Sequence, residues 1–353
     1  MTARDASPRP PGSAPRPRAG GAGEPVLAVE DLSVTFATPD GPVHAARGVS
    51  FTVDEEEVVG IVGESGSGKS VTMMAVMGLL PRTATVTGSV RFRGEEILGL
   101  PDKQLRRYRG RKLAMIFQDP LTSLNPVFTV GDQIAEAIRV HQDVRRAQAM
   151  ARAAELLDLV GIPNPVERTR QYPHEFSGGM RQRAMIAMAI ANDPDVLIAD
   201  EPTTALDVTI QAQILEVLDR AQQAARSAIV LITHDLGVVA GVADRVMVMY
   251  AGRGVEVGTV DDVFLRPRHP YTLGLLESLP RVDAGGQERL TPIVGAPPSL
   301  LHPPPGCPFH PRCRFVREMC AEVVPELRFV GGLGQRSACH YGEDLDVLQV
   351  EPS

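Results

Sequence analysis

The segment Gly63-Glu64-Ser65-Gly66-Ser67-Gly68-Lys69-Ser70 decides the fold class of this chain. It matches the pattern of a phosphate-binding loop, in which a glycine-rich turn ends in Lys-Ser. The apolar run Val58–Val62 before it predicts a strand, and Lys69–Leu80 after it predicts a helix. A strand, this loop and a helix in that order predict a nucleotide-binding α/β domain.

The residues of the loop have predicted roles in holding a nucleotide. The glycines allow consecutive backbone N–H groups to curl around phosphate oxygens, and the helix adds the positive end of its dipole. Lys69 is expected to reach the β- and γ-phosphates, and Ser70 to ligate Mg²⁺. The alternative, a Gly/Ser-rich turn that matches by chance, is disfavoured by the flanking strand and helix.

Outward from the loop, short β-rich runs alternate with helical segments, which favours a mostly parallel sheet. The predicted strands are Val58–Val62, Leu113–Phe117, Val196–Ala199, Ala228–Ile232 and Arg245–Met249. The first part, Val26–Val53, resembles antiparallel strands joined by the turn Pro39-Asp40-Gly41. Helical pattern replaces the strands over about 119–188, for example at Ala147–Val160, and predicts a helical insertion.

Composition divides the chain into three parts. Residues 1–25 are rich in Pro, Arg, Ala and Gly and predict a disordered tail. Residues 26–263 form the predicted nucleotide-binding domain. In 264–353 proline becomes frequent and all four cysteines occur, which indicates a linker followed by a small cysteine-containing module.

Bulk properties exclude several classes of protein. Hydrophobic residues make up 43% of the 353 residues and charged residues 22%, as in ordinary globular proteins. The net charge of −7 disfavours a general electrostatic affinity for nucleic acid. Neither a run of about 18 apolar residues nor a signal peptide is found, so we expect a cytoplasmic chain without a membrane span.

An acidic pair supplies the second half of the predicted chemistry. Asp195–Ala199 leads to Asp200 and Glu201, at the carboxyl end of a parallel strand, where such sheets bind ligands. Asp200 is expected to hold Mg²⁺ through water, and Glu201 to polarise the attacking water. The alternative is a helix start capped by acids before Pro202.

A second glycine pair predicts a second anion site. In Phe176-Ser177-Gly178-Gly179-Met180-Arg181-Gln182-Arg183, Ser177 can cap a helix while Gly178 and Gly179 allow backbone to approach an anion. This segment resembles the signature motif of ATP-binding cassette (ABC) proteins. The resemblance implies that Ser177–Gly179 of one subunit covers the γ-phosphate at another subunit's phosphate loop, with two ATP molecules held in a head-to-tail dimer.

The same resemblance implies further site residues. Gln118 is similar to the Q-loop residue that senses Mg²⁺ and water and links to the membrane partner. Asp207 of Ala205-Leu206-Asp207 resembles the D-loop aspartate, and His234 the switch histidine at the γ-phosphate. Phe36 stands where the family stacks an aromatic ring, usually Tyr, on adenine. Met180 replaces the usual Gln, but the residues needed for chemistry are retained, so we predict a hydrolytically competent site.

Other segments resemble one branch of the family, the oligopeptide/dipeptide importers and their nickel-importing relatives. They are Asp119-Pro120-Leu121-Thr122-Ser123-Leu124-Asn125-Pro126, Pro202-Thr203-Thr204-Ala205-Leu206-Asp207-Val208-Thr209, His269-Pro270-Tyr271-Thr272, Gly306-Cys307-Pro308-Phe309 and Arg312-Cys313. The branch implies an ATP- and Mg²⁺-dependent subunit on the cytoplasmic face of the membrane that powers di- or oligopeptide import. Its implied partners are a second ABC ATPase, two permeases that dock near Asp119–Ile138, and an extracytoplasmic binding protein.

Several different functions remain open from the sequence. The cargo could be nickel or another small solute instead of peptide. The chain could also be a soluble ABC ATPase of DNA repair or translation, an exporter ATPase or a non-hydrolysing regulatory partner. The single cassette, the acidic balance, the cysteine-containing tail and the retained Glu201 and His234 argue against these last three functions.

The four cysteines predict a metal site. Cys307, Cys313, Cys320 and Cys339 follow the spacing C-x5-C-x6-C-x18-C, which lacks the tight knuckles of structural zinc sites. A [4Fe–4S] cluster needs four thiolates and tolerates wide spacings, and members of the branch resemble cluster carriers in this tail. Zinc or unligated thiols are the alternatives, and His310 or His340 could replace one ligand.

Overall fold

The computed structural model describes residues 24–119, 123–204, 207–279, 292–330 and 334–345. The predicted tail therefore lies almost wholly outside the described residues, as do Ala205 and Leu206 and part of the proline-rich linker.

Strands and helices alternate through most of the described chain. The strands are β1 (Leu27–Thr38), β2 (Gly41–Val53), β3 (Val58–Val62), β4 (Ala84–Phe92), β5 (Glu95–Glu96), β6 (Leu113–Ile116), β7 (Val196–Asp200), β8 (Ala228–Thr233), β9 (Arg245–Tyr250), β10 (Arg253–Thr259), β11 (Arg328–Phe329) and β12 (Arg336–Ser337). The helices are α1 (Lys69–Val76), α2 (Asp102–Leu105), α3 (Val130–His141), α4 (Arg146–Leu159), α5 (Pro165–Arg168), α6 (Gly178–Ala189), α7 (Val208–Ala225), α8 (Leu236–Val242), α9 (Val260–Leu265), α10 (Pro270–Glu277) and α11 (Glu318–Glu322), with 3₁₀ turns at Pro173–Glu175 and His310–Arg312.

The larger sheet places the predicted site at one edge. Its strand order is β11-β12-β10-β9-β3-β8-β7-β6, and the run from β9 to β6 is parallel. Because β3, β6, β7 and β8 run in the same direction, the residues that follow them meet at the carboxyl edge of the sheet. These residues are the phosphate loop, Gln118, Glu201 and His234.

A second, antiparallel sheet has the order β2-β1-β4-β5. Its apolar face shares one buried cluster with the main sheet, including Leu32, Val49, Ile61 and Met73. The β1–β2 hairpin predicted around Pro39-Asp40-Gly41 is confirmed, since Thr38 pairs with Gly41.

Helices α3 to α6 occupy the predicted insertion and pack against the opposite face of the main sheet. Ile134, Leu156 and Phe176 share a buried cluster with Ile116 and Leu231 of the strands. No strand is found among the described residues between β6 and β7. The apolar faces of helices α3 to α6 therefore attach the helical insertion to the strands that carry the site.

The cysteine-containing segment is built onto the main sheet. Strand β12 pairs with β10, and Phe309 and Cys320 share a buried cluster with Tyr250 and Tyr271. Tyr250, Tyr271 and Phe309 lie against one another, with ring centroids 4.5–5.4 Å apart. Packing of this kind couples the C-terminal segment to the strands next to the phosphate loop.

The predicted strand positions agree with the structure to within one residue, whereas the predicted helix Lys69–Leu80 was too long. The helix ends at Val76, and Gly78 adopts φ 60°, a left-handed conformation that ends a helix. None of the helices in the described ranges is long and apolar enough to cross a membrane.

Candidate functional site

The phosphate loop is held against the sheet at positions where only glycine fits. A Cβ on Gly63, at φ 151°, would lie 2.2 Å from the Met249 carbonyl oxygen. A Cβ on Gly68, at φ 98°, would lie 2.3 Å from the Ala45 carbonyl oxygen. Gly66 also has a positive φ but faces open space. The first and third glycines are therefore required by close backbone packing, and the middle one by its left-handed turn.

Lys69 lies inside the loop, and within the part of the chain that the structure describes no carboxylate is bonded directly to it. Its Nζ donates to the carbonyl oxygens of Gly63 at 2.7 Å and Glu64 at 3.1 Å. Burial lowers the pKa of the Lys69 ammonium, while the charges of Glu201, Asp200 and Glu64 act in the opposite direction. A phosphate oxygen would give this buried cation the anionic partner that the loop carbonyls do not supply.

Ser70 and Asp200 meet at the foot of the loop. Ser70 Oγ donates to Asp200 Oδ1 at 2.8 Å, which joins α1 to the end of β7. Burial raises the pKa of Asp200, and the nearby Glu201 charge adds to the rise. The Ser67 Oγ atom is buried without a hydrogen-bond partner among the described residues. Hydroxyl and carboxylate oxygens in contact are a donor set suited to Mg²⁺.

Glu201 is the centre of a second cluster, next to Asp200 along the chain. Its Oε2 accepts from Thr204 Oγ at 2.7 Å and Gln118 Nε2 at 3.1 Å, and His234 Nδ1 lies 3.4 Å away. The Glu201 side chain is 13% exposed, and that of His234 is 59% exposed. Three polar groups from three loops therefore fix one carboxylate that still reaches solvent, which suits a residue that polarises water.

The backbone explains why consecutive acids face different partners. Asp200 is the last residue of β7, whereas Glu201 adopts φ 45° and its N–H donates to the Ile232 carbonyl. A left-handed residue directly after the strand turns the second side chain toward Gln118 and His234. Strained backbone of this kind is concentrated at functional sites.

Two predicted residues begin helices. The Ser177 hydroxyl accepts from the Met180 N–H at 3.3 Å and starts α6, and Asp207 accepts from the Ile210 N–H at 3.0 Å and starts α7. Ser177 and Gly178 are exposed, and Gly179 approaches the Ile210 side chain, where a Cβ would lie 3.2 Å from Cγ2. No hydrogen bond or ion pair among the described residues joins Ser177–Gly179 to the phosphate loop.

Phe36 lies at the end of the β1–β2 hairpin. It pairs with Val43 of β2 and Ala84 of β4, and its half-buried ring packs against the cluster that contains Ile61 and Met73. The hairpin borders the loop, since Ala45 of β2 is the close neighbour of Gly68. Phe36 thus lies, half-buried, on the hairpin that borders the phosphate loop.

The four cysteines line one small cavity, together with His269, Phe309, His310 and Tyr341 among others. All four are free, and burial raises the pKa of Cys307, that of Cys313 to about 12 and that of Cys339 to about 11. Within the ranges that the structure describes, no group of three or more His, Cys, Asp or Glu side chains is arranged to hold a metal ion. The structure therefore does not show the predicted iron–sulfur or zinc site.

The structure brings six of the predicted residues to the carboxyl edge of the sheet: Lys69, Ser70, Gln118, Asp200, Glu201 and His234. Ser177–Gly179 and the four cysteines lie apart from them. The structure also adds residues to which sequence reasoning gave no role. Thr204 supports Glu201, and Arg312 and Tyr271 contact the phosphate loop. The segments containing them were noted only for their resemblance, because a supporting hydroxyl or a distant arginine has no spacing signal.

Comparison with known families gives two matches along the chain. Residues 46–204 match the family described as ABC transporter. Residues 255–320 match the family described as oligopeptide/dipeptide transporter, C-terminal region. The first range contains the phosphate loop, Glu201 and the Ser177–Gly179 segment, and the second contains three of the four cysteines.

Curated relatives are similar over most of the chain. The oligopeptide transport ATP-binding protein OppD of Mycobacterium tuberculosis is 58% identical over 316 residues, which are 89% of this chain and 52% of that protein. The dipeptide transport ATP-binding protein DppD of Bacillus subtilis is 56% identical over 304 residues, 86% of this chain and 90% of that protein. The chain thus spans about half the length of the mycobacterial relative and nearly all of the Bacillus one.

Among solved structures, the dimeric post-hydrolysis state of the ATP-binding cassette MJ0796 bound to ADP and Pi is similar with a TM-score of 0.60. It is 25% identical, and the similarity covers 66% of this chain and 98% of that one. The shared part is the cassette fold itself.

Proposed function

Because this chain belongs to the ABC transporter family, in its oligopeptide/dipeptide branch, we propose that it is the ATP-hydrolysing subunit that powers import of di- or oligopeptides through partner permeases. The observation that carries the proposal is the Glu201 cluster beside an intact phosphate loop. Named relatives that transport oligopeptides or dipeptides support peptide as the cargo.

The phosphate loop binds the nucleotide in this proposal. Lys69 exchanges its contacts with loop carbonyls for the β- and γ-phosphates, which also compensates the burial of its charge. Ser70, Asp200 and Gln118 would hold Mg²⁺, which would supply positive charge beside the phosphates. Asp200 would bind this ion as a carboxylate, the form that burial alone disfavours.

Glu201 orients and polarises the attacking water. Its carboxylate is fixed by Thr204 and Gln118, so it is in position before the water arrives. His234 is more exposed and is free to contact the γ-phosphate. Phe36 stacks on the adenine ring at the edge of the site, and Asp207 contributes to the contact between subunits.

Ser177, Gly178 and Gly179 complete a site on a second ATPase subunit. They are at the exposed start of α6, and within the described ranges they make no hydrogen bond to this chain's own loop, which supports a role in trans. The similarity to a dimeric cassette structure supports the same arrangement. The partner is a second, related ABC ATPase, so the functional unit is a heterodimer at the cytoplasmic face of the membrane.

A groove next to Gln118 is the proposed docking site for the permeases. It has a volume of about 690 Å³ and is lined by apolar side chains that include Leu79, Phe117, Val140 and Met185. Phe117 is 40% exposed and Val140 69% exposed, and a shared apolar groove of this kind is typical of a protein-binding site. A cytoplasmic helix of a permease would cover them and place the transport path beside the residue that senses Mg²⁺.

A [4Fe–4S] cluster held by Cys307, Cys313, Cys320 and Cys339 is the proposed cofactor of the C-terminal segment. The cavity that these side chains share supports it, because a cluster needs four thiolates around one volume and separates them more widely than a single ion does. Protein purified without oxygen should be brown and absorb visible light. A colourless protein with one equivalent of zinc would reject the cluster.

The main experiment is ATP hydrolysis by the assembled transporter carrying Glu201→Gln. We expect kcat to fall by at least about a hundredfold while ATP still binds, because the amide keeps the shape but cannot polarise water as a carboxylate does. Glu216→Gln, on α7 and outside the site, is the matched control. Near-normal hydrolysis by Glu201→Gln would refute the assignment, and peptide uptake that does not depend on this subunit would refute the transport role.

A further inference from the structure

Among the described residues, hydrogen bonds join the C-terminal segment to the phosphate loop at Glu64. The Glu64 N–H donates to Tyr271 Oη at 2.9 Å. The Glu64 carboxylate accepts two hydrogen bonds from the Arg312 guanidinium, at 2.7 Å and 3.0 Å. Both partners lie more than 200 residues away along the chain. Tyr271 and Arg312 thus hold the backbone N–H and the carboxylate of Glu64, and both residues lie outside the segment that matches the ABC transporter family.

The Arg312 side chain is held in place by several contacts besides its pair with Glu64. The side chain is only 5% exposed, and it also donates to the carbonyl oxygens of Val294 at 3.1 Å and Ile293 at 3.4 Å and to Tyr250 Oη at 3.3 Å. A planar guanidinium with all these partners holds a carboxylate in one orientation. Loss of the side chain would leave the Glu64 charge, which is 26% exposed, without this cation.

Tyr271 is anchored equally well. It is fully buried in α10, and its N–H donates to Nδ1 of His269, at 3.1 Å. Burial lowers the pKa of His269 to about 3, so the ring is neutral and its nitrogen can accept this bond. The phenol therefore has a fixed position from which it accepts the Glu64 N–H.

The charge of Glu64 matters because of where the loop puts it. Lys69 Nζ is bonded to the Glu64 carbonyl at 3.1 Å, and the carboxylate contributes to the electrostatic environment of that lysine. A carboxylate released from Arg312 would compete with phosphate for Lys69 and would repel the phosphates directly. Paired with Arg312, the carboxylate is held by two hydrogen bonds and its charge is compensated.

We propose that Arg312 is a positioning residue for nucleotide binding, which neutralises and orients Glu64 so that Lys69 is available to the phosphates of ATP. The C-terminal segment, and not the cassette alone, therefore sets the affinity for ATP. This inference rests on the proposed ATP binding by the phosphate loop. Arg312 directly precedes Cys313, which lines the cysteine cavity. The cavity is therefore one residue along the chain from the side chain that positions Glu64.

The test is to measure ATP affinity by equilibrium dialysis with the full-length chain, and KM and kcat by ATP hydrolysis in the assembled transporter. For Arg312→Gln we expect Kd and KM for ATP to rise by about tenfold, the size of effect that one lost charge-assisted contact produces, while kcat at saturating ATP stays within about threefold. Arg314→Gln is the matched control. Arg314 makes the same kind of two-bond pair with Glu277, at 2.6 Å and 2.9 Å, and that pair does not involve the loop.

A second variant separates charge from folding. In the double variant Arg312→Gln with Glu64→Gln the uncompensated carboxylate is gone, so ATP affinity should return to within about threefold of the unsubstituted chain. An unchanged affinity in Arg312→Gln, or a loss that Glu64→Gln does not restore, would overturn the inference. Absence of ATP binding by the unsubstituted chain would instead refute the proposed function, and the inference with it.

Discussion

Glu256 should make the stability of this protein fall as pH rises from 5 to 8. The side chain lies in β10 with no exposed surface, and its Oε1 accepts from the Arg268 N–H at 2.6 Å and from Gln335 Nε2 at 2.9 Å. Burial raises the pKa of Glu256 to about 7, from 4.5 for an ordinary glutamate. The neutral acid is thus favoured in the folded state, so folding is opposed at any pH where the unfolded chain would ionise.

The size of the effect follows from these two pKa values. Well below pH 4.5 both states are protonated and the group contributes nothing. Above pH 7 it opposes folding by about 3 kcal/mol, since each unit of pKa difference corresponds to about 1.4 kcal/mol. Between about pH 5 and pH 8 the unsubstituted chain should therefore lose about 2.5 kcal/mol of unfolding free energy through this residue.

The assay is urea unfolding at about 25 °C, at about pH 5 and pH 8, of the unsubstituted chain and of Glu256→Gln. Glutamine keeps an acceptor for both donors but cannot ionise, so the variant should lack this component and should be the more stable protein at the higher pH. Glu216→Gln, on α7, should keep the full pH dependence. The same pH dependence in Glu256→Gln as in the unsubstituted chain would refute the reasoning.

Three further substitutions test other parts of the structure. Thr204→Val removes the hydroxyl that donates to Glu201 at 2.7 Å, so steady-state ATP hydrolysis should show kcat reduced about three- to tenfold with KM nearly unchanged; an altered KM alone would contradict this role. Gly68→Ala places a methyl group 2.3 Å from the Ala45 carbonyl oxygen, so ATP affinity measured by dialysis should fall at least about tenfold, and normal affinity would show that the loop tolerates the shift. Ile134→Ala empties a fully buried position between α3 and the sheet, and urea unfolding should show a loss of about 2–5 kcal/mol; a loss below about 1 kcal/mol would mean that the cluster collapses around the gap.

The central strands and the acidic pair were predictable because local sequence specifies them. The runs at Val58–Val62 and Ala228–Thr233 are almost entirely apolar and lead into polar loops, and a buried parallel strand requires that pattern. Placing Glu201 and His234 together needed only the rule that parallel strands end at the same edge.

Strands at the margin of the main sheet were not predictable in the same way. Arg253–Thr259 contains two glycines and a buried glutamate, and Arg336–Ser337 is only two residues long. Arg253–Thr259 is a strand mainly because it pairs with the adjacent strand β9, whereas Arg336–Ser337 is a strand because it pairs with the distant Glu256 and Val257. The contact of Arg312 with Glu64 was hidden for the same reason, since 248 residues separate the two in sequence.

The pairing of β12 with β10 also bears on the behaviour of the protein in a crowded solution. Without β12, β10 would be the edge strand of the main sheet. Its unpaired backbone N–H and carbonyl groups could then form hydrogen bonds with a strand of another molecule. Ser337 donates to the Arg268 carbonyl and Gln335 to that of Arg266, so side chains as well as backbone keep the last strands in place. These residues cover part of the outer side of β10, so we expect a version cut short before Arg328 to self-associate more readily than the full-length chain.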